Sequence, residues 1–517
     1  MTNSLPAALD PTAPGRLDAP RESRHGMSSI VRRVLKGSGI YGLGSVITKV
    51  ASLLLTPLYT HYLTPAHYGI LATAIVLTSS LEMILALRLD AAFSRFYFDA
   101  KDDRARLNRT VSSLSAAVLG CAATSLMLLW LAGQHVPALH EVNGVAFDPY
   151  LKIVLATAFF SVIGALPMTL LQVQERAKTF ALINLARFFL NTGCTIYLVA
   201  VLKGGAAGSL WGTLIGNVAF AAVCLVIIAP YLELSFDRRV VREALSFSLP
   251  LLPHAISLWA LTLSDRLILG MFVSLDQVGI YALGYNLGMG MLLVVSAFTG
   301  SWAPIFFDTL KRDEAQGAQE LGKIITHVMT GLILIALAGM LVAREAVMLL
   351  APPKYGAAAA VIPWVIAAYV FHGMYICFVN VLFYFKKTGV LPFITGGAAA
   401  LNILLNLLLV PRFGIMAAAW NTALAYMIPA TLVYLAARRL LRLPINAPRL
   451  LWIAALSGLV LLGCRWLPGA NVGLSLLLKA LVYALFLALL LRVGLLPQHL
   501  LAKVPLANKM RRAGSGP

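Results

Sequence analysis

Acidic residues are scarce: 21 Asp and Glu stand against 41 Lys and Arg in 517 residues, a formal charge of +20. Charge of either sign is thin, at 12% of the chain, where a soluble protein carries about 25%. An ordinary soluble fold is therefore excluded. Cysteine is rare as well. Cys121, Cys194, Cys224, Cys377 and Cys464 all lie inside apolar stretches, at no metal-like spacing. Buried free thiols are expected; neither disulfides nor a metal site is supported. No glycine-rich phosphate loop of the nucleotide-hydrolysing kind is present, and no loop is long enough to hold a catalytic domain. The chain thus reads as a non-enzyme without cofactors. Residues 1–35 are polar and expected to be disordered, with no short apolar core and small-residue cleavage site to suggest a cleaved signal peptide.

Apolar residues are abundant, at 60%. Runs long enough to cross a bilayer recur along almost the whole chain. Fourteen spans are predicted, at 37–58, 68–89, 111–133, 151–172, 178–202, 208–231, 244–268, 278–303, 322–343, 357–384, 388–410, 414–437, 449–467 and 472–493. The fold class is an all-α polytopic membrane protein. The positive charge, which in a soluble chain would suggest nucleic acid, follows here from the positive-inside rule, so no nucleic-acid partner is expected. With the N-terminus in the cytoplasm, the basic clusters around Arg32–Lys36, Arg95–Arg109, Arg238–Arg242 and Arg438–Arg449 all fall on the cytoplasmic side. The other side receives only Lys152, Lys203, Arg266, Arg344, Lys354, Arg412 and Arg465. Both termini are therefore expected in the cytoplasm.

The first membrane hairpin returns later in the chain. Leu63-Thr-Pro-Ala-His-Tyr-Gly69-Ile70-Leu-Ala72 is echoed by Val273-Ser-Leu-Asp-Gln-Val-Gly279-Ile280-Tyr-Ala282, the two glycines 210 residues apart. Gly205, Trp211 and Thr213 are echoed by Gly414, Trp420 and Thr422, 209 residues apart. A near-constant offset argues for an internal duplication. It covers six spans, an even number, so the halves should be parallel repeats about an axis along the membrane normal. The expected organisation is a tail (1–35), a six-helix lobe (36–232), a second six-helix lobe (233–438), an accessory helix pair (439–495) and a basic tail (496–517).

The chemistry lies in polar groups at membrane depth, which are costly unless they face water or a partner. Lys49 shares a helix face with Gly42, Ser45, Ser52 and Thr56. Asn184, Arg187, Asn191 and Cys194 share another. Ser79, Glu82, Ala86 and Asp90 form a third, with Arg88 nearby. In span seven, Ser246, Pro250, His254 and Ser257 share a face that ends at Asp265-Arg266, and Pro250 and Pro253 should bend the helix. Arg88 and Arg266 either line a cavity or snorkel to an interface. Glu82 either serves a cavity or pairs with Lys49 or Arg88. His254 and His372 are either proton carriers or hydrogen-bonded structural residues. Lys479 either meets a lipid phosphate or pairs within the accessory hairpin. The interior charges read as mainly basic and mainly in the first lobe, which suits an anionic substrate.

The segment Leu401-Asn402-Ile-Leu-Leu-Asn406-Leu-Leu-Leu-Val-Pro411-Arg-Phe413-Gly414-Ile-Met-Ala-Ala-Ala419-Trp420-Asn-Thr422 resembles the eleventh-to-twelfth span signature of Wzx-type polysaccharide flippases. Asp265-Arg266-Leu-Ile-Leu-Gly270, followed by Val278-Gly279-Ile280-Tyr281, resembles their seventh-to-eighth span turn, and Gly37-Ser38-Gly39-Ile40-Tyr41 fits their opening. The resemblance covers spans one to twelve. It implies the multidrug/oligosaccharidyl-lipid/polysaccharide exporter superfamily, with two six-helix lobes and alternating access. The implied substrate is an undecaprenyl-diphosphate-linked oligosaccharide, such as an O-antigen or exopolysaccharide precursor, crossing the bacterial inner membrane. Implied partners are that lipid, the surrounding membrane lipids, H+ or Na+ as coupling ion, and other polysaccharide-assembly membrane proteins. On this reading Lys49, Arg88, Arg187, Asn184 and Asn191 would bind substrate. Glu82, Asp90, Asp265 and His254 would be the ion-coupling candidates. Asn402, Asn406, Pro411, Gly414 and Trp420 carry the structural motif. Fourteen spans, rather than the twelve of many Wzx-type members, also fit a lipid II-type flippase. A cation-coupled multidrug exporter and a non-transporting subunit of a synthase complex are the readings from other classes.

Overall fold

A computed structural model describes residues 47–466 and 471–496. Among these residues, thirteen helices are long and apolar enough to cross a membrane. They correspond to the predicted spans two to fourteen. Span one lies partly outside the described residues; its described part is helical at 47–54 and Thr56–Tyr62. The sequence positions 1–35 also lie outside.

The molecule has two ends. One carries the basic connections near residues 101–104, 174–177, 232–238 and 385–388; the other carries the charge-poor ones, near 63–64, 136–146, 203–204 and 273–274. At the charge-poor end the duplication is visible atom by atom. The Pro65–Leu85 helix starts at Thr64, whose hydroxyl accepts from the His67 N–H. The Leu275–Gly288 helix starts at Ser274, whose hydroxyl accepts from the Gln277 N–H. These are equivalent N-caps, each satisfying a donor that the first helical turn leaves unpaired. The two helices then pack against each other through the repeated glycines. A Cβ on Gly69 would strike the Leu275 carbonyl, and a Cβ on Gly279 would strike the Pro65 carbonyl. Reciprocal contacts of this kind are the mark of a two-fold interface. The second echo holds too: Gly205 and Gly414 both take positive φ, +53° and +57°, a conformation that costs other residues a Cβ clash.

Several helices depart from the predicted spans. Span two is broken: Pro65–Leu85 ends, Leu87 and Arg88 take positive φ, and Leu89–Ala100 begins. Asp90 therefore does not continue the face of Ser79 and Glu82. Span eight is broken as well, into Leu275–Gly288 and Met291–Arg312. Span seven passes through one 3-10 turn at Pro250, Leu249–Leu251, between Arg238–Ser248 and Leu252–Phe272. The segment before that turn, Arg238–Ser248, rides on the first lobe. The N–H groups of Glu233 and Asp237 donate to Ser112 and Ser113 at 2.7 and 2.8 Å, and Arg95 lies 5.1 Å over the Phe247 ring. The segment up to the proline thus packs on residues of the first lobe.

The second lobe is built around Tyr281, Trp302 and Phe306, all fully buried. The helix pair Ala447–Cys464 and Val472–Arg492 packs against Glu314–Leu341 through Ile453, Phe486 and Leu490. The cysteines are free; Cys224, Cys377 and Cys464 are buried, while Cys121 and Cys194 are only half-buried.

Candidate functional site

The first lobe holds a polar centre at membrane depth, drawn from four helices. Arg187 donates through Nη2 to Ser161 Oγ at 2.9 Å and to Asn217 Oδ1 at 2.5 Å. Its guanidinium lies 4.2 Å over the Phe220 ring. Glu82 reaches the same Ser161 hydroxyl and faces the Arg187 charge. A lone guanidinium in an apolar lobe is costly, and this shell of acceptors, ring face and counter-charge lowers the cost. Glu82 is thus set against Arg187, not against Lys49 or Arg88. Asn191 lies one turn beyond Arg187, its Oδ1 buried without a partner and so close to Gly216 that no Cβ fits there. Asn184 turns back onto its own helix, donating to Phe180 O at 3.0 Å.

Lys49 is half-buried and has no ion pair among the described residues. Arg88 sits at the break in span two, 3.5 Å from Asp90, with about two-fifths of its side chain exposed. Among the described residues, Lys49 and Arg88 share no bonded partner with Arg187. His254 is exposed.

The second lobe holds a different centre. Asp265 and Arg266 are 4% and 5% exposed, so Arg266 does not snorkel. Asp265 Oδ1 accepts from the Arg266 N–H at 2.8 Å and from Nη1 at 3.3 Å, and Asp265 Oδ2 accepts from the Tyr281 hydroxyl. Tyr281 also meets Thr422 Oγ1 at 3.3 Å. The guanidinium lies 4.3 Å over the Tyr285 ring. Arg266 is buried because its charge is met locally. The centre therefore links the seventh-to-eighth span turn to the signature segment. In that segment Asn421 donates to Asn406 Oδ1 at 2.9 Å, and Asn406 donates to Asn402 Oδ1 at 3.2 Å, all three buried. The ladder joins Leu391–Phe413 to Ile415–Leu440. Pro411 and Gly414 shape the turn between them, and Trp420 packs on Trp364 and Phe413. Fully buried charge lies in this lobe and is paired, so the interior is not one-sidedly basic.

The contacts between lobes cluster at the charge-poor end. The Lys354 ammonium and the Tyr355 hydroxyl donate to Leu63 O at 2.8 and 3.1 Å. Thr60 donates to Leu350 O at 2.8 Å. The hairpin that pairs Glu141–Val142 with Val145–Ala146 turns at Asn143-Gly144, both with positive φ as such a tight turn requires. From its tip Asn143 donates to Leu267 O at 2.9 Å, and Gly270 leaves room for it. The deepest bond is Trp259 Nε1 to Ser79 Oγ, 3.1 Å. It lies roughly 20 Å in, at the helical rise of 1.5 Å per residue. Beyond it no hydrogen bond joins Leu89–Ala100 to Met291–Arg312 among the described residues, and Met291–Arg312 exposes Ser296, Gly300, Ser301 and Pro304. Among the described residues, the hydrogen bonds between the lobes lie at the charge-poor end and reach inward as far as Trp259–Ser79.

Comparison with known proteins decides the family. The polysaccharide biosynthesis protein family matches residues 34–310. The chain belongs to that family. A relative in Haemophilus influenzae, Lsg locus putative protein 1, is 22% identical over 295 residues, 54% of this chain and 67% of its own. In fold, the family member is similar to the lipid II flippase MurJ in an inward closed conformation, with a TM-score of 0.69 at 13% identity, over 88% of this chain and 99% of that one. It is also similar to an inward-facing multidrug resistance transporter of the MATE family in the MOP superfamily, with a TM-score of 0.56 at 13% identity, over 79% and 99%. This polysaccharide biosynthesis protein is thus a multi-pass membrane protein with the fold of the MOP transporters.

Sequence reasoning missed Ser161 and Asn217, and it met Tyr281 only as part of a motif, without its role at Asp265. Single polar residues in apolar spans carry no spacing pattern. It also missed Glu345, which lies between two spans and reveals itself only through Lys479. The Lys479 ammonium donates to both Glu345 oxygens, at 2.6 and 2.8 Å, and Ser475 donates to Oε1 at 2.6 Å. Lys479 therefore pairs with the second lobe, neither with a lipid nor within its hairpin.

Proposed function

We propose that this protein is a flippase that carries an undecaprenyl-diphosphate-linked oligosaccharide across the bacterial inner membrane by ion-coupled alternating access. The observation that carries the reading is the Arg187 centre, a guanidinium kept at membrane depth in a polysaccharide biosynthesis protein whose lobe-to-lobe hydrogen bonds, among the described residues, gather at the charge-poor end. On this reading the basic end faces the cytoplasm, in keeping with the positive-inside rule, and substrate enters between the lobes from that side. Lys49, Arg88 and Arg187 meet the diphosphate, Asn184 and Asn191 assist, and the prenyl chain stays in lipid. Guanidinium and ammonium groups match phosphate oxygens in charge and geometry. Glu82 couples the ion, because its proton or cation changes the field on Arg187. Asp265 is the second candidate, in the other lobe. Asp90, tied to Arg88, is a weaker one, and exposed His254 the weakest.

The test is neutralisation of Lys49 and Arg187 together, as Lys49→Gln with Arg187→Gln. The expected outcome is loss of surface polysaccharide with the protein still in the membrane at its normal level. Normal polysaccharide in the double variant would remove these residues from the site.

A further inference from the structure

The linker between the twelfth span and the accessory pair builds a pocket of its own, at the basic end and away from the Arg187 and Asp265 centres. It folds back beneath Glu314–Leu341. A Cβ on Gly322 would strike the Pro444 carbonyl, and the Asn446 N–H donates to Thr326 Oγ1 at 3.1 Å. The fold-back encloses a cavity of about 340 Å³, within the range of small-ligand sites. Phe378 and Tyr434, packed edge to face at 4.9 Å between centroids, line it with Leu443 and Ala447. Arg438 and Arg442 supply its charge, and no acidic side chain lines it. Neither arginine has an ion pair among the described residues. Two residues beyond the lining, Arg449 keeps Nε and Nη2 shielded and without hydrogen-bond partners.

Arg438 and Arg442 are exposed to solvent and line one cavity with no carboxylate, so an anion seated there would meet two positive charges at once and relieve their mutual repulsion. The geometry points to a site for a phosphate-bearing anion held by Arg438 and Arg442. Arginine forks match phosphate oxygens with paired hydrogen bonds. The pocket opens where three spans end, and basic pockets at that depth suit anionic lipid headgroups. The apolar lining beside the arginines would take the glycerol and first acyl carbons of such a lipid. A soluble phosphate could use the same arginines without the apolar part. The site stands independently of the flippase reading.

The test uses the full chain, purified in detergent, with native mass spectrometry. Dioleoyl phosphatidylglycerol is titrated against dioleoyl phosphatidylcholine, and inorganic phosphate is titrated separately. Arg438→Gln with Arg442→Gln is compared with wild type. Arg492→Gln, an exposed basic residue elsewhere, is the control. The expected result is preferential retention of phosphatidylglycerol by wild type and the control, falling by at least about tenfold in the double variant. Lipid retention unchanged but phosphate binding lost in the double variant would support the anion site with a soluble ligand. Retention of both unchanged by the double substitution would overturn the proposal.

Discussion

At the residue scale, two guanidinium groups inside spans are handled in opposite ways. Arg187 is held by neutral acceptors, with Glu82 near but not bonded to it. That leaves a cation that a diphosphate can claim. Arg266 is held by a carboxylate, its own backbone and an aromatic ring, which leaves little for a ligand. Removing the Glu82 charge should therefore affect transport more than folding. Glu82→Gln is expected to reduce transport by at least about tenfold while protein level stays within a factor of two, read by lipid-linked oligosaccharide turnover and immunoblot. The Glu345–Lys479 pair belongs to stability. Its side chains are 2% and 11% exposed, and breaking a buried pair from one side costs about 3–5 kcal/mol. Lys479→Met should lower the melting temperature of the purified protein, and Lys479→Met with Glu345→Met should recover part of the loss. The pair also predicts an acid response. Burial pushes the Glu345 carboxyl up, but hydrogen bonds from Lys479 and Ser475 outweigh it and hold the group below the usual carboxylate range. Its stabilisation is present above about pH 4.3, the ordinary value for Glu, and is lost as pH falls through the lower folded value. The melting temperature should drop in that window by more in wild type than in the double Met variant.

At the element scale, the Gly69–Gly279 crossing lets two equivalent helices meet backbone to backbone. Any side chain there must push them apart, because the obstructing atoms are carbonyls and cannot rotate away. Gly69→Leu is expected to weaken closure at the charge-poor end. With the five native cysteines replaced, a cysteine at Ser79 should then react several-fold faster with a thiol reagent that cannot cross the membrane, added from that side. An unchanged rate would mean the crossing does not control closure. The glycines were legible in the sequence because a repeat of glycines among Leu and Ala stands out. The breaks after Leu85 and Gly288 were not, since Leu87 and Arg88 carry no helix-breaking chemistry and take positive φ only in the tertiary setting. An irregularity at Pro250 was legible because a missing N–H acts locally, and it takes the form of the 3-10 turn Leu249–Leu251. The hairpin at Asn143-Gly144 carried a turn signal, but its docking on Leu267 depends on residues 124 positions away.

At the scale of the whole molecule, apolar periodicity and charge alternation located thirteen spans that overlap the observed helices, the largest misplacement falling at the broken span eight, predicted at 278–303 and observed as Met291–Arg312. That succeeds because the bilayer imposes one length and one hydrogen-bonding rule on every crossing. The site was legible only in part. Lys49, Arg187 and Glu82 announce themselves as charges in apolar runs, yet the sequence does not say which charge meets which. The answer required four helices brought together around Ser161 and Asn217. With the lobe-to-lobe hydrogen bonds gathered at one end among the described residues, a rocking motion of the lobes would alternate access to this fixed centre. The most direct measurement is the sidedness of lipid-linked oligosaccharide in cells that lack the protein. The intermediate should accumulate in the cytoplasmic leaflet and clear when wild-type protein, but not the Lys49→Gln/Arg187→Gln variant, is restored. An intermediate that reaches the outer leaflet at the normal rate without the protein would contradict the flippase account.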